Sequence, residues 1–253
     1  MTSKQQINYI TRWIKKYARN NRIKTLVVGI SGGIDSAVVS TLCARTGLPT
    51  TAVSMPIRQS KATHDLSVAH GQWLAQRFGN VSHIIVDLTS TFQQFEKCFI
   101  DGSDLAFANS RSRLRMMCLY QLAQDNSGIV VGTGNRVEDF GVGFFTKYGD
   151  GGVDISPIGD CLKTEVWAMG RELGVSDEII EAAPTDGLWD DGRTDEDQLG
   201  MTYPELEQMM WLDEHGVFPD IYDLAKLKRY RELRARNLHK MRPIPVCQIP
   251  KNI

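Results

Sequence analysis

The chain has 253 residues, of which 42% are hydrophobic and 23% charged, with a formal net charge of -1. That is enough for one large α/β domain with a sizeable core. The near-neutral balance excludes a general pull toward nucleic acid or anionic membrane, so any anionic ligand must be held by local clusters. Cys43, Cys98, Cys118, Cys161 and Cys247 are scattered and never form Cys-x-x-Cys. This pattern argues against a disulfide framework or a structural zinc site and suits a reducing cytoplasm. No signal peptide is visible, and no stretch approaches the roughly 20 apolar residues of a membrane helix.

Ile7, Ile10, Trp13, Ile14 and Tyr17 recur at helical spacing and predict an opening amphipathic helix. Thr25 to Ile30 is a short β-branched run, the pattern of a strand buried on both faces. A glycine-rich turn follows, then a helix over Ser36–Ala44. The alternation continues with a strand at Thr50–Pro56, a helix at Lys61–Phe78 and a strand at His83–Val86. A helix at Arg111–Gln124 and a strand at Gly128–Gly132 follow. Strands alternating with helices predict a three-layer α/β/α, Rossmann-like fold around a parallel sheet. Gly141 to Gly152 reads as a structured loop and Lys163–Leu173 as a helix. Pro184 to Gly200 reads as an acidic turn-like stretch, and Ile221–Leu238 as a helix with one basic face. One domain over residues 1–253 is the simplest organisation, with a core over about 20–175 and a C-terminal region over about 176–253.

The chemistry concentrates in Gly29-Ile30-Ser31-Gly32-Gly33-Ile34-Asp35-Ser36, where a buried strand meets a helix. In open α/β sheets ligands bind beyond the carboxyl ends of the strands. Gly32 and Gly33 let the backbone approach a phosphate, and the N–H groups of the turn and helix start favour an anion. Asp35 makes sense beside phosphates if it ligates a hard cation shared with them. There is no Gly-x-x-x-x-Gly-Lys-Ser/Thr, and no lysine between Thr25 and Ser60, so this is not a Walker A loop.

Ser31-Gly32-Gly33-Ile34-Asp35-Ser36 resembles the pyrophosphate loop of the N-type ATP pyrophosphatases, of the adenine nucleotide alpha hydrolase-like class. Three further blocks resemble the ammonia-dependent NAD(+) synthetases in particular. Asn109 to Met116 is similar to the family's Asn-x-x-Ala-Arg-x-Arg-Met, and Arg113 matches its arginine for the deamido-NAD substrate. Arg111 and Arg115, four apart, share a helix face that Arg113 does not. The second block runs from Gly132-Thr133-Gly134-Asn135 through Glu138 to Gly143-Phe144-Phe145-Thr146-Lys147-Tyr148-Gly149-Asp150-Gly151-Gly152-Val153-Asp154. The resemblance implies ATP contact for Thr133, Mg2+ ligation for Glu138 with Asp35, and deamido-NAD contact for Lys147 and Asp154. Glu138 and Gly143 are five apart where the family pattern has four. That extra residue leaves Asp139 as the alternative ligand, while the interval from Thr133 favours Glu138. In the third block, Lys163 matches a lysine for the ATP phosphates, Pro184-Thr185 a threonine for ATP, and His239-Lys240 a substrate pair. Arg193 stands where the family has a glutamine.

The resemblance covers residues from about 7 to about 243. It implies a carbon–nitrogen ligase in which Mg-ATP adenylylates the nicotinate carboxylate of deamido-NAD(+) and ammonia displaces AMP, without a protein nucleophile. Because the loop-bearing strand begins at Thr25, no glutaminase region is expected upstream and free ammonia is the expected donor. A homodimer is implied as well, to which Phe144 and Phe145 could contribute if they are not core residues. No nucleic acid or membrane partner is expected. The nearest rival is a tRNA-thiolating enzyme of the same superfamily, with Lys226 to Arg242 gripping RNA. A nucleotide-binding regulatory module without turnover is a second, but it has no need of carboxylates at positions 35 and 138.

Overall fold

A computed structural model describes residues 1–185, 194–217 and 223–250. Within these, α1 (Ser3–Asn20), β1 (Thr25–Ile30), α2 (Ile34–Arg45), β2 (Thr50–Ser54), α3 (Lys61–Arg77) and β3 (Val81–Ile85) follow one another. Then come α4 (Thr89–Glu96), α5 (Asp104–Asp125), β4 (Gly128–Val130) and a π-helical turn at Val137–Val142. The chain continues with α6 (Lys163–Leu173), α7 (Asp177–Glu181), α8 (Asp195–Leu199), α9 (Tyr203–His215) and α10 (Leu224–Met241). The expected positions 186–193, including Arg193, and Ile221 lie outside the described residues.

The four strands form one parallel sheet in the order β3-β2-β1-β4. The chain winds outward from β1 to β3 and then returns to the other edge of β1, so its direction of winding reverses between β1 and β4. The loops leaving the carboxyl ends of those two strands therefore diverge and open a crevice. An isolated parallel bridge from Val131 to Ile155 prolongs the β4 side.

Burial explains the strand sequences. Leu26, Val28 and Ile30 face one way, against α1, α2, α3 and α6. Val27, Val53 and Val130 face the other way, against α4 and α5. A strand covered on both sides needs apolar residues at consecutive positions, as Leu26-Val27-Val28 supplies. Leu42 and Val38 of α2 are 0% exposed; truncating such a leucine to alanine costs about 2–5 kcal/mol. Another cluster joins Val137 and Val142 of the π turn to Leu199, Tyr203, Leu206, Met209, Leu227 and Leu233. It seats α8, α9 and α10 at the β4 side of the crevice.

Candidate active site

The loop after β1 is ordered by its own serines. Ser36 Oγ donates to Gly33 O (2.9 Å) and accepts from Ser31 N (3.1 Å), while Ser31 Oγ accepts from Gly33 N (3.2 Å). Gly33 provides no side-chain cap for α2, so the first-turn N–H groups stay oriented toward the crevice, an arrangement suited to an anion. Gly32 has φ +90°, and a Cβ there would lie 2.6 Å from Thr63 O. The close seat of the loop against α3 thus requires glycine.

Asp35, in the first turn of α2, receives the Lys163 ammonium at 2.5 Å and the Asn135 amide at 3.1 Å. Lys163 opens α6 and is 2% exposed. Its ammonium also lies 2.9 Å from Glu138 Oε1. Asn135 Oδ1 accepts from the N–H groups of Val137 and Glu138 (3.0 and 3.1 Å), fixing the start of the π turn. Tyr203, 0% exposed, donates its phenol to Glu138 Oε1 at 2.5 Å. A buried ammonium is tolerable only when paired and hydrogen-bonded, which explains why Lys163 lies between the carboxylates.

Electrostatics follow from these contacts. Burial raises the Asp35 carboxyl, opposed by the Lys163 ammonium. Burial would likewise raise Glu138, but Lys163 and the Tyr203 hydrogen bond outweigh it and hold the carboxyl below its ordinary value. Lys163 rises above the ordinary lysine range: burial acts against its charge, and the two carboxylates overcome that effect. Burial and the charges of Glu138 and Asp195 push the Tyr203 phenol far up, so it remains a donor.

The five-residue interval from Glu138 to Gly143 is spanned by the π turn, in which Gly143 N–H reaches back to Glu138 O. Glu138 faces Asp35 across the Lys163 ammonium, while Asp139 packs its carboxyl against Gly134. Gly143 ends the turn at φ 67°, where a Cβ would lie 2.5 Å from Asn237 Cβ of α10.

Asp35 and Glu138 converge on one cationic group, the donor set expected for Mg2+ held by two carboxylates with phosphate oxygens and water completing the shell. Among the described residues no group of three or more His, Cys, Asp or Glu could hold a metal ion. Phosphate oxygens and water would join these two carboxylates around the ion. The residues present fit the ion on those terms.

A cavity of about 910 Å³ is lined by Gly29 to Ser36, Thr133, Glu138, Lys163, Thr185, His239 and Lys240, with many others. Every position expected to touch ATP borders it. Arg113, Lys147 and Asp154 do not border it. Arg113 Nε donates to Lys147 O (3.3 Å), and Lys147 Nζ to His239 O (3.0 Å), forming a basic group at its outer margin. Asp154 is held elsewhere, accepting from Tyr120 OH (3.1 Å) and Val130 N (2.8 Å). Arg111 and Arg115 share a helix face, as their spacing implied, and that face turns inward. Arg111 stacks 5.7 Å over Phe92, and Arg115 Nε donates to Met55 O at 3.0 Å, while Arg113 is exposed. Phe144 packs against the C-terminal core cluster, and Phe145 lies under the Lys240 ammonium at 5.1 Å.

Sequence reasoning gave no role to Tyr203 or Asn135, and missed α9 altogether. The signal for α9 was present: Thr202-Tyr203-Pro204-Glu205 is a capping box with proline in the first turn.

The NAD synthase family model matches residues 6–243. The NH(3)-dependent NAD(+) synthetase of Mesoplasma florum is 43% identical over 239 residues, covering 91% of this chain and 95% of that protein. The protein of the same name from Archaeoglobus fulgidus is 34% identical over 98% of both chains. Among solved structures, NMN synthetase from Francisella tularensis superposes with a TM-score of 0.85 and is 31% identical over 99% of each chain. A match over nearly the whole length, on a fold with the glycine-rich loop at the sheet's switch point, settles the family: the chain belongs to the NAD synthases.

Proposed function

We propose that the chain forms the amide of NAD(+) from deamido-NAD(+), ATP and free ammonia. The nicotinate carboxylate attacks the α-phosphorus of ATP, the α–β phosphoanhydride bond breaks, and pyrophosphate departs. Ammonia then attacks the acyl-adenylate carbonyl, giving the amide and AMP. The observation that carries this reading is the meeting of Asp35, Glu138 and Lys163 beside an uncapped phosphate loop in one cavity. Family membership and the names of the relatives support it further.

The chain's work is positioning and charge stabilisation. The loop N–H groups and the Ser31 and Ser36 hydroxyls would grip the departing pyrophosphate, with Lys163 adding positive charge. Thr133 and Thr185 border the same cavity and would bind the rest of ATP. Asp35 and Glu138 would hold Mg2+, which when bound withdraws charge from the phosphoryl oxygens and neutralises the leaving group. His239 and Lys240 at the cavity, and Arg113 and Lys147 at its margin, form the cationic side suited to a second phosphate-bearing substrate. Asp154 belongs to that substrate by resemblance alone. Assembly into a homodimer and residence in the cytoplasm complete the reading.

The Francisella neighbour's name raises a shorter substrate bearing the same carboxylate, nicotinate mononucleotide. The test supplies ATP, Mg2+ and ammonium with either the deamido-dinucleotide or the mononucleotide, and measures the amide formed. Higher kcat/KM with the dinucleotide supports the proposal. Preference for the mononucleotide would redirect it, and no amide from either acid would end it.

A further inference from the structure

Tyr203 was given no role by the sequence, yet its side chain is among the most enclosed in the protein, at 0% exposure. Packing alone does not need the hydroxyl. The ring lies edge-on to Trp167 at 5.9 Å and beneath the Lys163 ammonium at 4.6 Å, contacts that phenylalanine would also make. Burying a hydroxyl is costly unless it is hydrogen-bonded. Here it lies 2.5 Å from Glu138 Oε1 and 3.1 Å from Asp195 Oδ2.

The surroundings hold the phenol rigidly. Thr202 and Glu205 cap the start of α9, and Tyr203 N donates to Glu196 Oε1 at 3.1 Å. Glu207, one turn on, accepts from Thr164 N and Oγ1 (2.9 and 2.8 Å), beside Lys163. Asp195 N donates to Pro184 O at 2.9 Å. A line of contacts thus runs from the Pro184-Thr185 segment through Asp195 and Tyr203 to Glu138.

We propose that Tyr203 is a positioning residue for the cation site: its phenol fixes the Glu138 carboxylate facing Asp35 and so sets the affinity for the divalent ion that accompanies ATP. This rests on the reading of Asp35 and Glu138 as ligands. A carboxylate held in place by packed, hydrogen-bonded neighbours binds more tightly than one that must be ordered on binding, and loss of such a supporting partner typically costs 10–100-fold in metal affinity.

The test uses the full chain with α,β-methylene-ATP, which cannot be cleaved between α and β, and measures Mn2+ binding by electron paramagnetic resonance. Tyr203→Phe keeps the ring and removes the donor. The expected result is Mn2+ affinity weaker by about tenfold or more, with no further weakening when Tyr203→Phe is added to Glu138→Gln. Unchanged affinity in Tyr203→Phe would overturn the assignment, as would an equal loss in the Glu138→Gln background. Should Tyr203→Phe not fold, 3-fluorotyrosine placed at position 203 of the otherwise wild-type chain replaces it. Its fluorine resonance should shift on adding Mg2+ with the nucleotide, and a stationary resonance overturns the assignment. Wild-type protein that binds no Mn2+ with the nucleotide would sink the ligand reading itself, a result distinct from equal binding by wild type and variant.

Discussion

The Lys163 ammonium and the Asp35 carboxylate, 128 residues apart in sequence, meet at 2.5 Å beneath the phosphate loop, with the lysine 2% exposed. The same ammonium reaches Glu138 at 2.9 Å. Removing one partner of a buried ion pair leaves an uncompensated charge, typically at about 3–5 kcal/mol. Lys163→Met should therefore lower the urea-unfolding free energy by roughly 3 kcal/mol, because Asp35 and Glu138 then face each other unpaired. Adding Asp35→Asn should restore part of the loss. An unchanged midpoint in Lys163→Met would mean that the pairing contributes nothing to stability.

His70 supplies a pH prediction away from the crevice. It is 3% exposed, contacts Ser40 Oγ at 3.0 Å, and burial lowers its pKa from 6.5 to about 4. In the unfolded chain the imidazole takes up its proton near pH 6.5; in the native state it stays neutral down to about pH 4. Between these values the unfolded state binds more protons, so stability falls as the pH is lowered, by roughly 3 kcal/mol in all. Chemical denaturation at pH 7 and pH 4 should show His70→Gln losing less stability than wild type over that interval. Parallel losses would contradict the assignment.

Gly32 couples the phosphate loop to α3. With φ +90° and Thr63 O 2.6 Å from a Cβ built there, Gly32→Ala meets both strain and a backbone clash. The expected cost is about 1–3 kcal/mol in stability, together with a raised KM for ATP and a smaller change in that for deamido-NAD. Wild-type ATP kinetics in this variant would show that the loop tolerates the shift.

Lys147 sits at the margin of the cavity with its ammonium 3.0 Å from His239 O. Lys147→Ala should raise the KM for deamido-NAD by roughly tenfold, the effect of losing about 1.4 kcal/mol of binding, and leave the KM for ATP nearly unchanged. Steady-state kinetics with each substrate varied in turn would check this, and equal effects on both would remove Lys147 from the acid-substrate side.

The parallel α/β architecture was readable because its signals are local. Thr25–Ile30 and Lys163–Leu173 have the predicted bounds, one from a β-branched run buried on both faces, the other from a helical apolar stripe. That Gly29 to Ser36 line one cavity was also readable, since consecutive loop residues share a place in the fold. Contacts made across long sequence separations were not. Lys163 was expected at the phosphates, and only tertiary packing brings its ammonium between Asp35 and Glu138. Arg111–Gln124 captured only part of α5, whose first turns from Asp104 carry exposed Leu105 and no continuous apolar stripe. The interval from Glu138 to Gly143 was visible in the sequence, but not that a π turn would span it. The Gly143 C-cap, packed against Asn237, accompanies the wider turn.

The central claim is that the turn after β1 and the carboxylates beside it serve cleavage of ATP between its α and β phosphates. Quantifying the nucleotide and phosphate products while deamido-NAD and ammonium are converted by the purified chain tests it most directly. The account predicts one AMP and one pyrophosphate for each NAD formed; ADP with orthophosphate in the same ratio would contradict it.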